Sequence, residues 1–514
     1  MLEKFQKQIK SFKASRIYSD KRYKIFLKGN IYENKKNLIK LIIKFYINNK
    51  FHNLANQFNG NYIIFFYDYK KNYFFISNSA TSYFDIFYKI NKKKLNISNK
   101  ISDFLKSNYS INKYRTFEWL LLGGRALTNE TFLNNVNYLL PGETISIDKN
   151  NVIKIYEKKY SSYKEGKQKI TPKILVKSLK RAIDIRTKIF KQDILLGLSG
   201  GMDSRILAGL INNKKTITYT YGHLNNFEKI FAQYISFKGN FKKHIEIDIK
   251  EKEYFPKKIW NNYSILGNLN STFQHDYQSN MFKNLSKKSN SKNIVLGCAL
   301  DLFLSSSFSN KELVKIKNLK EYYLWFKKKY FLFSKNEIKI IFPNDYKYFY
   351  KKLEKNFFGI TSKFNHNNFV DLNDALHFEV RILRWYNRNL NFVSHDNRSV
   401  LTPTYDKEFL NLCFKTNYKL RIRDYYRKEM LKNTNHEFYQ IPTLSSFLPP
   451  SSDNKIQGVF KKIINKLENL NTNHIDVKKI PSLQYDVNLS KIMTESKNYN
   501  HFKKIILKKF NIKN

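Results

Sequence analysis

The 514-residue sequence predicts a mixed fold of the α/β and α+β classes, in which an antiparallel sheet with helices precedes a doubly wound parallel sheet with carboxy-terminal helices. In the first part, short segments rich in β-branched and aromatic residues are separated by polar turns, which is typical of antiparallel strands. In the second part, strand-like and helix-like segments alternate, which is typical of a parallel sheet. The length exceeds that of one compact core, and we expect domains at residues 1–160 and 170–450 and a lysine-rich helical extension at 451–514.

The formal charge of +52 would favour a nucleic-acid partner, but the lysines are spread through every segment instead of forming a patch, so no such partner is expected. Cys298 and Cys413 are the only cysteines of the sequence, which excludes a disulfide framework and a cysteine-rich metal site. Charges interrupt the amino-terminal segment and no apolar run has membrane-spanning length. These features predict a cytoplasmic, soluble protein without membrane contact, and leave a homodimer open.

The first part contains three predicted strands and one predicted helix. The strands are Asn61–Tyr69, Tyr73–Ser77 and Asp85–Ile90, and the helix is Leu38–Phe51. Together they predict a sheet covered by at least one helix.

A glycine-rich loop organises the second part of the chain. The apolar run Ile194–Leu198 predicts a strand, and a helical pattern begins at Arg205. The loop between them allows a sharp turn, and its backbone N–H groups, its two hydroxyls and the helix N-terminus can all face an anion. The loop consists of Ser199, Gly200, Gly201, Met202, Asp203 and Ser204. This sequence predicts a phosphate-binding loop, although it lacks the spacing of a Walker loop.

Further strands are predicted at Thr216–Tyr221, His244–Ile249 and the start of Asn293–Phe303, with a helix at Phe227–Phe237. Ligands of parallel sheets bind at the carboxyl ends of the strands, which places Tyr221 and Gly222 near an adenine or ribose. Asp301 follows another strand of this kind. Two carboxylates from neighbouring loops, Asp203 and Asp301, suit a hard cation such as Mg²⁺.

These motifs resemble those of a known superfamily. The SGGxDS sequence at Ser199–Ser204 is similar to the signature of the ATP pyrophosphatases. Phe26–Asn34, Phe58–Asp68 and Leu139–Asp148 resemble the glutaminase module of asparagine synthetases. This order over nearly the whole chain identifies it as a member of the asparagine synthetase / β-lactam synthetase superfamily, which implies an Ntn-like β-sandwich followed by an adenine nucleotide α-hydrolase-like domain.

The resemblance also implies ligands and site residues. It implies ATP and Mg²⁺ as cofactors, with Asp203 and Asp301 as the metal ligands. The implied nucleotide-binding residues are Leu198, Ser199, Gly200, Gly201, Asp203, Ser204, Tyr221, Gly222, Leu296 and Gly297. The implied catalytic residues are Asp203, Asp301, Glu379 and Arg398. Glu379, Arg381 and Arg384 are expected to project over the nucleotide, Asp406 matches a family aspartate, and Glu228 is interpreted as charge at a helix N-terminus.

The chain departs from the family at several functional positions. Leu2 stands where the glutaminases have their nucleophilic cysteine, and Lys28–Asn30, Asn78 and Ser79 replace substrate-binding residues. Cys298 and Leu302 replace two glutamates of the asparagine-forming enzymes. A late family lysine has no counterpart in Ile441–Pro450, and Lys428 and Lys432 are the alternatives. The departures predict that the chain does not hydrolyse glutamine.

We therefore expect an ATP-dependent ligase that forms an amide through an acyl adenylate. Its partners would be a small-molecule or peptide carboxylic acid and an amine donor, either ammonia or an amine of the substrate itself. Three alternatives stay open: a β-lactam or macrolactam cyclase of the same superfamily, a tRNA-modifying ATP pyrophosphatase, and a nucleotide-binding pseudoenzyme.

Overall fold

The structure is a computed structural model. It describes residues 9–105, 109–123, 125–166, 169–188, 190, 192–222, 227–248, 277–388, 390, 398–443, 448–452 and 456–457. Leu2, Ile249 and nearly all of the predicted extension 451–514 lie outside the described residues. The mixed α/β and α+β class is confirmed, because antiparallel sheets precede a parallel sheet.

The amino-terminal half contains two antiparallel sheets. The larger has the strand order β1-β2-β3-β4-β8-β9 and the smaller the order β6-β5-β7. Their strands are β1 Ser15–Ser19, β2 Tyr23–Ile31, β3 Gly60–Asp68, β4 Tyr73–Asn78, β5 Phe87–Asn91, β6 Lys94–Ser98, β7 Asn137–Tyr138, β8 Thr144–Ile147 and β9 Ile153–Tyr156. The three strands predicted in this half are confirmed as β3, β4 and β5.

Every residue of strand β3 is buried. Because alternate side chains of a strand point to opposite faces of its sheet, both faces of β3 are covered. Tyr62, Ile64 and Phe66 pack with the helix α1, Lys35–Ile47, and the intervening residues join the main core. Helix α1 begins three residues before the predicted start, since the Asn34 side chain accepts a hydrogen bond from Lys36 N and caps it. Gly29 of β2 has a φ of +87°, and a Cβ there would collide with the Asn61 carbonyl oxygen.

The second half is built on a five-stranded parallel sheet with the order β12-β11-β10-β13-β14. Its strands are β10 Ile194–Gly197, β11 Thr216–Gly222, β12 Lys243–Asp248, β13 Asn293–Val295 and β14 Ser399–Leu401. All four pairings are parallel, with Ile194 of the central strand opposite Thr216 on one side and Asn293 on the other. The carboxyl ends of these strands therefore lie along one edge of the sheet.

Helices surround the sheets. After α1, the described helices are α2 Lys113–Leu122, α3 Pro172–Thr187, α4 Met202–Ala208, α5 Phe227–Lys238, α6 Tyr277–Lys288, α7 Leu300–Ser305, α8 Leu319–Tyr330, α9 Lys335–Ile341, α10 Tyr346–Thr361, α11 Phe369–His377, α12 Lys407–Cys413, α13 Tyr418–Ile422, α14 Tyr425–Thr434 and α15 His436–Gln440. A π-helix, Phe378–Tyr386, continues directly from α11. Short 3-10 turns complete the set at Phe51–Asn56, Ile101–Phe104, Asn213–Lys215, Leu313–Lys315 and Pro403–Tyr405.

The two halves share buried surface. One continuous apolar cluster contains Phe65 and Leu120 of the first half together with Leu195 and Phe409 of the second. The domain limits at 160, 170 and 450 stay a prediction. Among the residues that the structure describes, no helix has both the length and the apolar character needed to cross a membrane.

Asp406 is fully buried and ties α12 to α3. Its side chain caps α12 by accepting hydrogen bonds from Glu408 N and Phe409 N, and one of its oxygens lies 3.0 Å from Arg186 Nη1. We expect Asp406→Ala to lower the free energy of unfolding by about 3–5 kcal/mol, because it leaves the buried Arg186 guanidinium without its carboxylate. Urea unfolding measures this difference.

Glu408 supplies the matched control, since it pairs with the half-exposed Arg181 on the same two helices. Glu408→Ala should change the free energy of unfolding by no more than about 1 kcal/mol. Equal effects of the two substitutions would contradict the assignment of the buried pair as the stabilising one.

Candidate functional site

The candidate site lies at the carboxyl ends of β10, β11 and β13. Because Ile194 and Asn293 are paired in register, the loops that follow β10 and β13 emerge side by side. The first loop, Leu198–Gly201, leads into α4, and the second, Leu296–Ala299, leads into α7. The structure thus brings the two sequence-predicted carboxylates, Asp203 and Asp301, to neighbouring positions.

The glycine-rich loop is held by its own serines. Ser204 Oγ accepts a hydrogen bond from Ser199 N at 3.0 Å, and Ser199 Oγ accepts one from Gly201 N at 3.1 Å. Leu198 N donates to Tyr219 O of the neighbouring strand at 2.9 Å. These contacts fix a tight turn directly in front of the N-terminus of α4, where backbone N–H groups favour an anion.

Asp203 lies at the centre of the site. Its Oδ2 accepts a hydrogen bond from Asp301 N at 3.0 Å, and its Oδ1 accepts one from Arg427 Nη1 at 3.0 Å. Burial raises the pKa of the Asp203 carboxyl to about 6, with the Asp301 charge adding to the shift and Arg427 opposing it. The Asp203 side chain still exposes 22% of its surface, so a ligand can reach it.

Arg427 of α14 is a site residue that the sequence argument missed. Asp424 holds its guanidinium through two hydrogen bonds, at 2.9 and 2.8 Å, and so aims it at Asp203. Burial works against the charged form, but the Asp424 and Asp203 carboxylates raise the pKa of Arg427 above its usual value. Of the two lysines that the sequence offers as alternatives, Lys428 donates to Gln457 Oε1 and Lys432 is exposed.

Gly297 allows the second loop to approach the first. A Cβ at Gly297 would lie 3.0 Å from Leu207 Cδ1 and 3.4 Å from Asp203 O, so a side chain there would require Leu207 of α4 to shift by a few tenths of an ångström. Leu296 packs against Gly197, the last residue of β10. A Cβ added at Gly197 would lie only 3.2 Å from Leu296 Cδ2. The sequence predicts both residues in the nucleotide site, and the structure places both beside the glycine-rich loop.

Tyr221 and Gly222 end β11 at the same edge of the sheet. Tyr386, the last residue of the π-helix, lies close enough to Tyr221, Cys298 and Asp301 for these groups to influence its titration. Burial, with their help, raises the pKa of Tyr386 well above its usual value, so its hydroxyl keeps its proton. Tyr386 therefore adds a neutral hydroxyl to the wall of the site, another feature that the sequence argument missed.

Glu228 corrects one expectation. It is buried in the first turn of α5, and is not a solvent-exposed charge at a helix end. Its carboxyl group is hydrogen-bonded to Gly200 N–H and to the Ser199 hydroxyl, two donors of the glycine-rich loop. Burial raises the pKa of Glu228 to about 7, although both hydrogen bonds oppose the shift. A carboxyl group thus lies where the loop offers donors to an anion.

Arg205 holds the glycine-rich loop through a hydrogen bond to its backbone. It is fully buried and donates to Gly200 O at 2.8 Å and to the carbonyl oxygens of Phe438 and Ile441. An arginine directly before the apolar run Ile206–Ala208 of α4 is the sequence signal that could have revealed it.

Cys298 and Leu302, which stand where the asparagine-forming enzymes have glutamates, are both buried. Leu302 has no exposed surface and belongs to the main core. Cys298 is hydrogen-bonded to the Tyr405 hydroxyl, and burial raises the pKa of its thiol to about 12. Neither position offers a charge, so Cys298 is a neutral thiol in the wall of the site.

Glu379 and Arg384 do not contact the glycine-rich loop, contrary to expectation. Glu379 Oε2 lies 2.5 Å from Nζ of the buried Lys158, and Arg384 Nη1 donates to the carbonyl oxygens of Ala126 and Leu127. Both side chains therefore contact the amino-terminal half. Glu379 gives the buried Lys158 ammonium a carboxylate partner, and Arg384 gives the carbonyl oxygens of Ala126 and Leu127 a hydrogen-bond donor. Glu379 is a contact between the two halves and not, in this geometry, a group that reaches the nucleotide site.

Arg398 is also placed differently from the expectation. It precedes β14, whose Ser399 pairs with Asn293 at the start of β13, so Arg398 lies at the amino-terminal edge of the sheet. Its Nη2 donates to Ser286 Oγ at 2.8 Å and to Ser289 O at 3.2 Å, at the end of α6. The parallel register therefore puts the Arg398 backbone at the edge opposite the glycine-rich loop.

Asp203 and Asp301 are the residues that could hold a metal ion. No group of three or more His, Cys, Asp or Glu side chains is suitably placed within the described ranges. A pair of carboxylates fits Mg²⁺, which takes one or two of them together with water and substrate phosphates. Burial raises the pKa of Asp203 and the Asp301 charge adds to the shift, and a bound cation would relieve the repulsion between the two carboxylates.

Comparison with known proteins gives only distant solved structures. No protein-family model and no curated protein matches the chain.

The solved structures include the NMN synthetase from Francisella tularensis, with 16% identity over 27% of this chain and 60% of that one and a TM-score of 0.20. They also include the NH3-dependent NAD synthetase from Campylobacter jejuni, with 18% identity over 36% of this chain and 95% of that one and a TM-score of 0.20. A third is the U34-tRNA thiolase NcsA from Methanococcus maripaludis, with 13% identity over 63% of this chain and 82% of that one and a TM-score of 0.22. This chain spans 60% of the length of the NMN synthetase, and superpositions this loose establish neither a shared reaction nor shared ligands.

The raised pKa of Glu228 makes its contribution to stability depend on pH. The folded protein keeps the proton up to about pH 7, whereas an unperturbed glutamate ionises at 4.5. The contribution is therefore fully present below pH 4.5 and is lost as the pH rises through 7. Relative to Glu228→Gln, the wild-type free energy of unfolding should fall by about 3 kcal/mol between pH 4 and pH 8.

Urea unfolding at several pH values measures this difference, and Glu437→Gln, an exposed position on α15, is the control. If the difference in the free energy of unfolding between wild type and Glu228→Gln stays constant with pH, the buried, protonated state of Glu228 is contradicted.

Proposed function

We propose that this protein is an asparagine synthetase-like ligase that uses ATP to adenylate a carboxylic acid, releases pyrophosphate and transfers an amine to form an amide. Glutamine hydrolysis is not part of the proposal. The observation that carries it is the convergence of two carboxylates, one arginine and a glycine-rich loop at the ends of adjacent parallel strands. The residues are Asp203, Asp301, Arg427 and Ser199–Gly201.

The proposed reaction has two steps. A carboxylate oxygen of the acid attacks the α-phosphorus of ATP, and the bond to the bridging oxygen breaks so that pyrophosphate leaves. The amine then attacks the acyl carbonyl, AMP leaves, and the amine nitrogen gives up a proton. Asp203 and Asp301 would hold Mg²⁺, which would neutralise charge on the phosphates.

The chain's own groups have distinct parts in this scheme. The N–H groups of Gly200 and Gly201 and the Ser199 hydroxyl bind phosphate oxygens once the Glu228 carboxyl and the internal loop contacts give way. Arg427 places a positive charge beside Asp203, where negative charge develops on the leaving pyrophosphate. The neutral Tyr386 and Cys298 groups exclude water from the wall of the site.

The amine is proposed to be ammonia or an amino group of the substrate. Support comes from the amino-terminal half, where Asn78, at a substrate-binding position of the resemblance, is fully buried and donates from Nδ2 to Leu139 O at 3.1 Å. The Asn78 amide nitrogen is thus committed to a backbone carbonyl and is not available to a glutamine substrate.

ATP–pyrophosphate isotope exchange with purified protein and Mg²⁺ tests the proposal. The acids to be screened are aspartate, related amino acids and small peptide acids. Exchange that depends on one acid is the expected result and names the electrophile. Absence of exchange with every acid, despite measurable ATP binding, would contradict the adenylation step.

Asp203→Asn should lower this exchange by at least about 10²-fold, because it removes one of the two carboxylates that hold the cation and the acceptor for Arg427. Asp184→Asn is the matched control, since Asp184 forms only a surface pair with Lys180. Exchange that is unchanged in Asp203→Asn would refute the site assignment.

A second candidate is a nucleotide-binding protein without turnover. The observation that favours it is the replacement of both family glutamates by the buried Cys298 and Leu302. Tight ATP binding combined with no exchange distinguishes this candidate from the ligase.

A further inference from the structure

The first turn of α5 covers the glycine-rich loop. Glu228 lies in that turn with 8% of its surface exposed, and Phe231 follows three residues later, on the same side of the helix. A Cβ added at Gly200 would lie 3.3 Å from Phe231 Cδ2 and 3.9 Å from the Cα of Glu228. The helix is therefore in van der Waals contact with the backbone of Gly200.

Glu228 takes two hydrogen-bond donors of this loop. Its carboxyl group is hydrogen-bonded to the Gly200 N–H and to the Ser199 hydroxyl. The Gly201 N–H donates to Ser199 Oγ and the Ser199 N–H donates to Ser204 Oγ, so the loop's own serines accept from these two backbone groups. Glu228 is thus an acceptor that reaches the loop from a different helix.

A carboxyl oxygen and a phosphate oxygen are acceptors of the same kind for these donors. The Gly200 N–H has a single hydrogen, so it cannot serve the Glu228 carboxyl group and a phosphate oxygen fully at the same time. An ionised Glu228 that stayed beside the phosphates would also repel them. The Glu228 contact and a bound phosphate therefore exclude each other.

We propose that Glu228 is an internal competitor of ATP, an autoinhibitory contact that must break before the phosphates of ATP can bind the glycine-rich loop. The proposal rests on the proposed function, because it takes this loop to be the phosphate site. The apparent affinity for ATP is then reduced in proportion to the fraction of molecules in which the contact is broken.

The charge of Glu228 sets the strength of this contact. Burial raises the pKa of its carboxyl group to about 7 while the contact is formed, whereas an unperturbed glutamate ionises at 4.5. The stabilisation that the contact gains from the bound proton is fully present below pH 4.5 and is lost as the pH rises through 7. Autoinhibition is therefore strong in acid and is relieved above neutral pH.

The charged groups on the elements around Glu228 have partners of their own. They lie on α4, on α5 itself, on β12 and on α14. The pairs are Arg205 with the carbonyl oxygen of Gly200, Lys229 with Asp248, and Asp203 with Arg427. These groups are the same in wild type and in variants of Glu228, so a comparison between them isolates the titration of Glu228.

Isothermal titration calorimetry of the full chain with ATP and Mg²⁺, without a carboxylic acid, tests the proposal at pH 5 and pH 8. Glu228→Ala removes the competing acceptor and should bind ATP about tenfold or more tightly than wild type at pH 5. Glu228→Gln keeps a neutral acceptor of the same shape. It should bind ATP within a few-fold of wild type at pH 5, and about tenfold or more weakly than wild type at pH 8.

Gln233→Ala is the control, because Gln233 is exposed on the same helix. It should bind ATP as wild type does at both pH values. Thermal unfolding shows whether each variant is folded. Since Glu228→Gln preserves the shape of the side chain, its comparison with wild type decides the matter even where Glu228→Ala does not fold.

Three results would overturn the proposal. They are a ratio of wild-type to Glu228→Gln affinity that does not change with pH, a folded Glu228→Ala that binds ATP no more tightly than wild type, and absence of ATP binding by all of these proteins. The ligase proposal is tested separately by isotope exchange. If the expected affinities are found without any exchange, the autoinhibitory contact is supported and the adenylation step alone fails.

Discussion

The candidate site depends on the hydrogen bonds that Asp203 accepts from two groups distant in the sequence. One donor is the backbone N–H of Asp301 and the other is the guanidinium of Arg427. The first contact requires the parallel register of β10 and β13, and the second requires that α14 pack against α4. A change in either would leave a carboxylate with a raised pKa in a half-buried position without its partners, which is costly.

Buried ion pairs fix the amino-terminal half against the second half. Lys158 pairs with Glu379, and Arg388 pairs with Asp85 while its guanidinium carbon lies 3.6 Å from the centroid of the Tyr138 ring. Charged pairs of this kind add little net stability compared with apolar contacts, but breaking one is expensive, so they select one arrangement of the two halves. The amino-terminal half is thereby part of the environment of the π-helix.

The glycine-rich loop, for which the sequence predicts phosphate binding, is already hydrogen-bonded within the protein. Glu228 takes two of its donors, and Ser199 and Ser204 satisfy others. Backbone N–H groups in a partly buried turn are costly to leave unpaired, which explains why an internal carboxyl group lies there. A ligand must offer these donors a better acceptor, and a multiply charged phosphate does so.

The sequence by itself determined the fold class, the position of the glycine-rich loop between β10 and α4, and the pair Asp203 and Asp301. It could do so because strand periodicity, glycine pairs and carboxylates after apolar runs are local features, and parallel strands place such features at one edge. The tertiary structure decided what lies around them. It supplied Arg427, Tyr386 and the buried Glu228, and it placed the backbone of Arg398 at the opposite edge of the sheet and Glu379 against Lys158. These outcomes depend on which helix faces which neighbour, and that choice is made by the packing of distant segments and not by the spacing of residues along the chain.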